Sequence, residues 1–417
     1  MKKKFTELNV KIDSWHNLMS QIDSKNIGFM RKSDHEFILG WEASDSIKQE
    51  FNRYDPHALD QFLKKNQNNY VFGFLSYDIK ESQTRHLIHK DKTTFPNLEF
   101  FAAQNVIIKH RSGLIFYGFD ADLKKMNISN EIQGDLEESN FSSQLTCSVN
   151  QAEYEQNVQE LKNQIQLGNF YEMNYCMEYV GNIPNVDAKS IFKKIVDVTD
   201  APFSTYYASP DVEILSGSPE RYIKKREKTL SSQPIKGTAK RGSSETEDLK
   251  IAKDLKNDEK ERSENIMIVD LVRNDLSKIA TKNSVNVTEL CQLYSFNTVH
   301  QLISRVCCQI SDNITFSDVI DATFPMGSMT GAPKINAIKF AHQFEKFNRG
   351  IYAGSVGVIE PNGNFDFNVV IRSIILNKLN NSMHIGIGGA ITIKSDPSKE
   401  FEECNIKFKA IREVLNA

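Results

Sequence analysis

The 417-residue sequence lacks any run of about 20 apolar residues, the length that a helix needs to span a bilayer. Residues 1–5 are basic but are followed by no apolar segment of signal-peptide length. Basic side chains are not in excess either, because 51 Lys and Arg stand against 54 Asp and Glu, for a net charge of −3. We therefore expect a cytoplasmic protein that binds neither membranes nor nucleic acid.

Cysteine is also scarce, and its spacing predicts no metal site. The chain has six cysteines, none in C-x-x-C spacing: Cys147, Cys176, Cys291, Cys307, Cys308 and Cys404. At this density a disulfide scaffold is not expected. The cysteines are predicted to be small buried hydrophobic residues.

Nucleotide-binding motifs are missing as well. Residues 386–390 read Gly-Ile-Gly-Gly-Ala within a strand pattern, without G-x-G-x-x-G spacing. Residues 327–334, Gly-Ser-Met-Thr-Gly-Ala-Pro-Lys, precede a helix pattern but lack the ending of a P-loop. Glycine within a strand indicates close approach of a ligand or of another backbone, and the helix start around Thr330 can hold a carboxylate. Tight turns without a ligand are the alternative for both segments.

The elements that are present predict an α+β fold. A helix pattern covers residues 152–167, and strand patterns at 351–359 and 365–376 flank the hairpin signal Pro-Asn-Gly-Asn. A further strand is predicted at 383–393. Successive antiparallel strands with intervening helices favour large antiparallel sheets packed with helices over a doubly wound parallel sheet.

A polar segment divides the chain into two expected parts. Residues 120–148 are rich in Asp, Glu, Asn, Gln and Ser. This composition is typical of a connection between domains. We expect an N-terminal region over residues 1–145 and a larger catalytic domain over residues 146–417.

Two pairs of glutamates have the same spacing. Glu261 and Glu264 lie at the start of one predicted helix, and Glu400 and Glu403 lie on the last helix, which Asp396 can cap. A spacing of three places both carboxylates of a pair on one helix face. Carboxylates from two helices make an oxygen-rich site suited to Mg²⁺. The alternative is that both pairs are solvated surface charges.

Two polar residues interrupt apolar runs. Arg372 would share a strand face with Asp366 and Asn368, and an arginine there can clamp a carboxylate through two hydrogen bonds. His300 lies within an apolar strand pattern. A strand-edge arginine and a hydrogen-bonded core histidine are the alternatives.

Lys236 is a candidate nucleophile. It lies between Ile235 and Gly237 in a segment that follows a strand, sixteen residues after Glu220. Two strands joined by a turn would bring this acid near the lysine. A solvated glutamate is the alternative for Glu220.

Taken together, these segments resemble the chorismate-utilising enzymes, which include anthranilate synthase component I, aminodeoxychorismate synthase component I, isochorismate synthases and salicylate synthases. The matching segments follow the family's order over residues 150–415: Gly217-Ser-Pro-Glu-Arg, Gln233-Pro-Ile-Lys-Gly-Thr, Asp258-Glu-Lys-Glu-Arg-Ser-Glu, Asp270-Leu-Val-Arg-Asn-Asp-Leu, Val299-His-Gln-Leu-Ile-Ser, Phe324-Pro-Met-Gly-Ser-Met-Thr-Gly-Ala-Pro-Lys, Gly386-Ile-Gly-Gly-Ala-Ile and Ser395-Asp-Pro. Residues 73–78 also resemble the N-terminal half of component I proteins. The resemblance implies the fold of that family.

The resemblance also implies roles for individual residues. Glu264 and Glu403 would bind Mg²⁺ directly, supported by Glu261 and Glu400, and the metal would hold the ring carboxylate of chorismate. The enolpyruvyl side would be held by Arg372, Lys407 and the backbone at Gly388 and Gly389. Thr330 would line the pocket, His300 would lie near the ring, and Glu220 would be the general acid.

Lys236 indicates one reaction within the family. Anthranilate synthases typically carry alanine at this position, whereas aminodeoxychorismate synthases carry lysine. The resemblance implies that Lys236 attacks the ring as the C4 hydroxyl leaves and that ammonia then displaces it. The product would be 4-amino-4-deoxychorismate, a precursor of 4-aminobenzoate and folate. Anthranilate synthase component I is the main alternative, and a non-catalytic chorismate-binding homologue is a third.

Glu172 departs from the family pattern. Isochorismate and salicylate synthases carry a lysine base in the segment that matches residues 170–174, and component I proteins usually carry glutamine. The absence of this lysine counts against water as the nucleophile, and Glu172 is a candidate for the ammonia path. No Leu-Leu-Glu-Ser segment and no fused glutaminase domain is recognised, so ammonia is expected from solution or from a separate glutamine amidotransferase subunit.

Overall fold

Antiparallel strands and helices alternate irregularly through the described part of the chain. The computed structural model describes residues 3–8, 15–33, 36–51, 53–79, 95–119, 122, 144–183, 187–297 and 299–415. Within these ranges no helix combines the length and the apolar character that crossing a bilayer requires.

The strands, numbered in chain order, are β1 (Lys4–Leu8), β2 (Ile27–Ser33), β3 (Glu36–Gln49), β4 (Val71–Leu75), β5 (Leu98–His110), β6 (Gly113–Gly118), β7 (Thr146–Cys147), β8 (Glu172–Asn182), β9 (Thr205–Ala208), β10 (Val212–Ser216), β11 (Arg221–Arg226), β12 (Thr229–Gln233), β13 (Ile235–Lys240), β14 (Asn286–Ser295), β15 (Val299–Gln309), β16 (Gly331–Ala332), β17 (Ser355–Ile359), β18 (Phe365–Val369), β19 (Ser373–Asn377) and β20 (Ser382–Thr392). The helices are α1 (Trp15–Ser20), α2 (Pro56–Lys65), α3 (Gln151–Gln166), α4 (Ala188–Thr199), α5 (Glu245–Asn257), α6 (Glu259–Ser277), α7 (Phe316–Thr323), α8 (Lys334–Phe344) and α9 (Pro397–Leu415). In the described ranges, short 3₁₀ helices cover Tyr77–Ile79 and Gly327–Met329.

All strand pairings between the described residues are antiparallel. The longest ladders join β3 to β5 and β8 to β20. Large antiparallel sheets packed with helices confirm the predicted α+β class.

Strand pairing crosses the expected boundary at residue 145. β2 pairs with β9, and β4 pairs with β17, so strands from both sides of the boundary are hydrogen-bonded to each other. The polar segment 120–148 lies outside the described residues except for residues 122 and 144–148. The division into residues 1–145 and 146–417 stays a prediction.

The predicted hairpin forms, but the strand that carries Arg372 is interrupted. β17 and β18 pair from Ile359 and Phe365 onward, across a turn in which Gly363 has a φ of 74°. β18 ends at Val369, and Arg372 precedes β19 with a φ of 50°. The prediction that Arg372 shares a strand face with Asp366 and Asn368 is therefore wrong, because a left-handed residue breaks the two-residue alternation.

The last helix has the predicted cap, and its buried residues form an apolar stripe. Asp396 accepts a hydrogen bond from the backbone N–H of Lys399 at 3.1 Å, and such a cap contributes about 1 kcal/mol. Cys404, Phe408 and Ile411 are buried. Because this stripe packs into the core, the neighbouring face of α9, which carries the glutamate pair, lies toward β20.

Apolar side chains fill two cores. One core includes Phe100 and Phe367 of the N- and C-terminal strands together with Ile268 of α6. The other includes Tyr175 of β8 and Cys404 of α9. The two helices that carry the glutamate pairs therefore belong to different cores, and the relation between the pairs depends on how these cores are assembled.

Candidate active site

A buried ion pair joins two strands that are far apart in sequence. The Nζ atom of Lys236, on β13, lies 2.8 Å from Oε1 of Glu172, the first residue of β8. The Lys236 side chain is 13% exposed, and the Glu172 side chain is fully buried. The second oxygen, Oε2 of Glu172, is buried and has no hydrogen-bond partner among the described residues. This carboxylate therefore has Lys236 as its hydrogen-bonded counter-ion.

Two glycines permit this arrangement. Gly237 has a φ of 85°, and a Cβ there would lie 3.2 Å from Oε2 of Glu261, so the chain turns tightly beside α6 directly after Lys236. Gly331 has a φ of 147°, and a Cβ there would lie 2.1 Å from the backbone oxygen of Glu172. Glycine therefore lets β16 pair with the start of β8 and fix the position of Glu172.

Three carboxylates surround the Lys236 ammonium. Burial by itself lowers the pKa of Lys236, but the charge and hydrogen bond of Glu172, followed by the charges of Glu264 and Glu220, outweigh it and raise that pKa. These carboxylates therefore favour the cationic form of Lys236.

Glu220 has the properties of a general acid. The β11–β12 hairpin brings Glu220 and Lys236 to the same end of the sheet, as the sequence spacing predicts. The Glu220 side chain is buried, and burial raises its pKa to about 7 against the opposing hydrogen bond of Ser328 and the charge of Lys236. A carboxylic acid with a pKa near 7 can hold a proton at neutral pH and donate it to a leaving group.

The four predicted metal-binding glutamates face one cation. Burial by itself lowers the pKa of Lys260, on the first turn of α6, but the charges of all four glutamates raise it. The contributing residues, in order, are Glu264, Glu400, Glu261 and Glu403. Nζ of Lys260 lies 3.8 Å from Oε1 of Glu264. The glutamate pairs of α6 and α9 therefore stabilise positive charge at one place.

The same carboxylates fit a divalent cation in their chemistry. Burial raises the pKa of Glu264 to about 7, and it also raises those of Glu261 and Glu400, so each would gain from a nearby positive ion. Within the described residues no three His, Cys, Asp or Glu side chains are gathered closely enough to hold a metal. Hard oxygen donors from two helices are the ligand type that Mg²⁺ prefers, with water and substrate oxygens completing its shell.

A small open space lies beside the glutamates of α9. A Cβ at Gly389 would lie 3.5 Å from Oε2 of Glu400 and 3.8 Å from Nζ of Lys407. Lys407 contacts Oε1 of Glu403 at 2.8 Å and donates to the backbone oxygen of Gly388 at 2.9 Å. The predicted binding residues Gly388, Gly389 and Lys407 are therefore adjacent to the glutamate pair.

The Arg372 guanidinium has no counter-ion among the residues that the structure describes. Its left-handed backbone turns it out of the strand, and burial lowers the pKa of its guanidinium. No hydrogen bond or ion pair to this guanidinium exists within the described ranges. A half-buried, unpaired arginine is suited to bind an anion through two parallel hydrogen bonds.

Thr330 and His300 are engaged with the protein itself. The Thr330 hydroxyl is 3.2 Å from the backbone oxygens of Met326 and Gly327. Nδ1 of His300 is 2.8 Å from the Ser295 hydroxyl, and Nε2 is 2.9 Å from Oδ1 of Asp248. The structure thus does not bring His300 into contact with the other predicted catalytic residues, and its catalytic role stays a prediction.

Roles for Lys260 and Asn265 were not predicted from the sequence, and Ser328 was predicted only as part of a helix start that can hold a carboxylate. The spacing of four between Lys260 and Glu264 could have indicated their proximity. Asn265 donates a hydrogen bond to the backbone oxygen of Leu302 at 3.2 Å and fixes α6 against β15, but no local pattern reveals this contact. Ser328, whose hydrogen bond lowers the pKa of Glu220, lies in the glycine-rich segment that was noted for its helix start.

A cavity of about 420 Å³ lies elsewhere, between β2 and α4. It is lined by Trp15, Phe29, Arg31, Ser33, Phe37, Val196, Asp197, Asp200 and Asn297. It contains none of the predicted site residues. The choice of the Lys236 region as the candidate site therefore rests on its charged groups and not on cavity size.

The sequence profile of the chorismate binding enzymes matches residues 22–413 of the chain. The chain belongs to this family. The match includes both glutamate pairs, Lys236 and Arg372.

Similar curated proteins carry the names of two different synthases. The chain is 31% identical over 423 residues to the chloroplastic aminodeoxychorismate synthase of Arabidopsis thaliana, covering 94% of this chain and 46% of that protein. It is 30% identical over 347 residues to anthranilate synthase component 1 of Saccharolobus solfataricus, covering 83% of this chain and 80% of that protein. The chain thus spans less than half the length of the Arabidopsis synthase.

A solved structure shares the fold. The crystal structure of anthranilate synthase component I from Streptococcus pneumoniae superposes with a TM-score of 0.78 at 24% sequence identity, covering 90% of this chain and 92% of that one. The fold of chorismate-utilising enzymes that the sequence predicted is therefore confirmed.

Proposed function

We propose that the chain is a Mg²⁺-dependent aminodeoxychorismate synthase component I, which aminates chorismate to 4-amino-4-deoxychorismate for 4-aminobenzoate and folate synthesis. The observation that carries the proposal is the buried Lys236, which lies among Glu172, Glu220 and Glu264. A lysine that is shielded from solvent can act as a covalent nucleophile once it has given up a proton. Similarity to the Arabidopsis aminodeoxychorismate synthase supports the assignment.

Positive charge would bind the two carboxylates of chorismate. Glu264 and Glu403 would hold Mg²⁺, with Glu261 and Glu400 supporting them, and the metal would neutralise the ring carboxylate. Arg372, unpaired among the described residues, would bind the enolpyruvyl carboxylate, with Lys407 and the backbone of Gly388 and Gly389 beside it. Thr330 would line the pocket, and His300 would lie near the ring.

The chemistry would proceed through Lys236 and Glu220. Neutral Nζ of Lys236 attacks the ring carbon beside the carboxylate-bearing carbon, both conjugated ring double bonds shift by one position, and the C4–O bond breaks as Glu220 gives its proton to form water. Ammonia then attacks C4, the two double bonds shift back, and the C–N bond to lysine breaks, which releases neutral lysine. The new ammonium group of the product returns a proton to Glu220. Acid assistance of this kind contributes about 10²–10⁴ in rate.

The nitrogen source belongs to the same proposal. Ammonia would come from solution or, through glutamine, from a separate amidotransferase subunit. Glu172, which contacts Lys236, is the candidate residue for the ammonia path. The cytoplasmic location expected from the sequence stays a prediction.

Anthranilate synthase component I is the second candidate, favoured by the similarity to the Saccharolobus protein over 80% of its length. In that reaction pyruvate is eliminated, and no lysine nucleophile is needed at position 236. Isochorismate and salicylate synthesis is less favoured, since Glu172 occupies the place of the lysine that activates water in those enzymes.

A product assay tests the proposal. The protein is incubated with chorismate, Mg²⁺ and ammonium, and the mixture is divided. Formation of 4-aminobenzoate only after addition of an aminodeoxychorismate lyase is the expected result. Fluorescent anthranilate without the lyase would replace the proposal with the second candidate. Binding of chorismate without any turnover would indicate a non-catalytic homologue.

A further inference from the structure

The candidate nucleophile is held in its unreactive form. An ammonium group has no lone pair, so Lys236 must lose one proton before its nitrogen can form a bond to carbon. The three carboxylates around it favour the ammonium form. A proton acceptor within reach of Nζ is therefore needed for each turnover.

Glu172 is the acceptor that the geometry supplies. Oε1 of Glu172 already receives a hydrogen bond from Nζ at 2.8 Å, which is within proton-transfer distance. Glu264 and Glu220 act on Lys236 through their charges, and no hydrogen bond from Nζ to either one exists among the described residues. Glu220 is needed as the proton donor, and Glu264 is a proposed Mg²⁺ ligand, so neither is the acceptor for this proton.

The burial of Glu172 makes the transfer energetically feasible. Its side chain is fully buried, and Oε2 has no partner among the described residues. A buried ion pair that lacks further hydrogen bonds gains little over the corresponding neutral pair, because both charges are desolvated. Transfer of one proton from Nζ to the carboxylate neutralises both groups and removes this cost.

We propose that Glu172 is the general base for Lys236, taking one proton from its ammonium group before the ring is attacked and returning it when the lysine is released. The pair changes from carboxylate and ammonium to carboxylic acid and amine, so the number of protons and the total charge stay constant. After ammonia has displaced the lysine, the Glu172 acid protonates Nζ and restores the ion pair. This proposal rests on the proposed lysine-nucleophile function.

The pH dependence of a Glu172→Gln variant tests this role. In the native protein the reactive and resting pairs hold the same number of protons, so the transfer itself contributes no pH dependence. In the variant the reactive form holds one proton less than the resting form. Near pH 7 the kcat of the variant should therefore be about 10²–10⁴-fold lower than that of the native protein. The ratio of variant to native kcat should then rise about tenfold per pH unit until Lys236 titrates.

The ratio of variant to native kcat separates the titration of Lys236 from the titrations of the other groups. Glu220, Glu261, Glu264 and Glu403 also face Lys236 through their charges, and their contributions are shared by both proteins. Glu178→Gln is the matched control, since it makes the same substitution on β8 at a residue whose carboxylate contacts His384. This control should show a flat ratio close to one.

The outcomes separate the two proposals. A reduced ratio that is constant with pH means that Glu172 only positions Lys236, and an unreduced ratio means that it has no role; either overturns the proposal. Native protein that forms no aminodeoxychorismate overturns the proposed function itself.

A second measurement needs no turnover and tests the ion pair directly. Lys236 is carbamylated by cyanate, and the modified peptide is quantified by mass spectrometry as a function of pH. Loss of the carboxylate in Glu172→Gln should shift the labelling midpoint of Lys236 to lower pH. An unchanged midpoint would contradict the contact on which the general-base role depends.

Discussion

Among the described residues, the cluster around Arg349 and the cluster around Lys236 are built in opposite ways. In one, the Arg349 guanidinium donates to both oxygens of Glu345 and to the backbone oxygens of Met329 and Asn174. Oε1 of Glu345 also accepts a hydrogen bond from the backbone of Cys176. In the other cluster, the carboxylates of Glu172, Glu264 and Glu220 all interact with the single Lys236 ammonium group. The first is hydrogen-bonded throughout and ties loops to strands, whereas the second is incompletely satisfied.

This difference distinguishes a structural charge cluster from a candidate catalytic one. A fully hydrogen-bonded buried pair specifies one conformation, and breaking it leaves an uncompensated charge. A cluster with excess carboxylates and a Glu172 oxygen that is unpartnered among the described residues has capacity left for protons and cations. Perturbed groups in such a setting are typical of functional sites.

The largest expected effect is the loss of turnover in Lys236→Gln, because no nucleophile remains. This substitution retains an N–H donor toward Glu172, so the fold should persist, and aminodeoxychorismate formation should fall about 10⁴-fold or more. The rate is measured by the coupled lyase assay, and circular dichroism reports folding. Lys240→Gln, at an exposed position of the same strand, should retain activity. Near-native turnover by Lys236→Gln would rule out the covalent role.

The opposite cluster should show a stability effect. Arg349→Met leaves the buried Glu345 without its counter-ion and should lower the free energy of unfolding by about 3–5 kcal/mol. Denaturant titration measures this quantity. Arg226→Met removes an exposed partner of Glu360 and should change it by at most about 1 kcal/mol. Equal effects of the two arginine substitutions would contradict the structural role of the buried Arg349–Glu345 pair.

A smaller effect is expected on metal binding. Glu264→Gln removes one proposed Mg²⁺ ligand and should weaken the apparent Mg²⁺ affinity by roughly 10–100-fold. The measurement is a Mg²⁺ titration of chorismate turnover. Glu259→Gln, at an exposed position of the same helix, is the control. Identical titrations for Glu264→Gln and the native protein would exclude Glu264 as a ligand.

The smallest expected effect is the pH dependence that Glu220 imposes. Its raised pKa of about 7 means that the proton-donating form is lost as pH rises through 7. The value of kcat/KM should therefore fall about tenfold per pH unit above that point. Glu220→Gln should be weakly active, and its pH profile should lack this falling limb above pH 7. A limb that persists in Glu220→Gln would assign the titration to another group.

Local patterns predicted the parts of the site that lie on single elements. The spacing of three placed each glutamate pair on one helix face, and the turn between β11 and β12 brought Glu220 toward Lys236. The relation between pairs could not be predicted, because α6 and α9 belong to different cores. Lys236 and Glu172 are 64 residues apart and meet through strand packing that no local period encodes.

For Arg372 and His300, the structure differs from the sequence-based prediction because of a single backbone angle or a few hydrogen bonds. A period of two predicted a continuous strand through Arg372, but its positive φ ends the alternation. Strand periodicity identified His300 as a polar residue in an apolar run, but it could not reveal the partners Ser295 and Asp248.

Trapping the covalent intermediate directly tests whether Lys236 is the nucleophile. The protein is mixed with chorismate and Mg²⁺ in the absence of ammonia and glutamine, quenched, digested and examined by mass spectrometry. The account predicts that the peptide containing Lys236 gains the mass of chorismate less one water, and that ammonium removes this adduct. An unmodified Lys236 peptide in protein that turns chorismate over would contradict it.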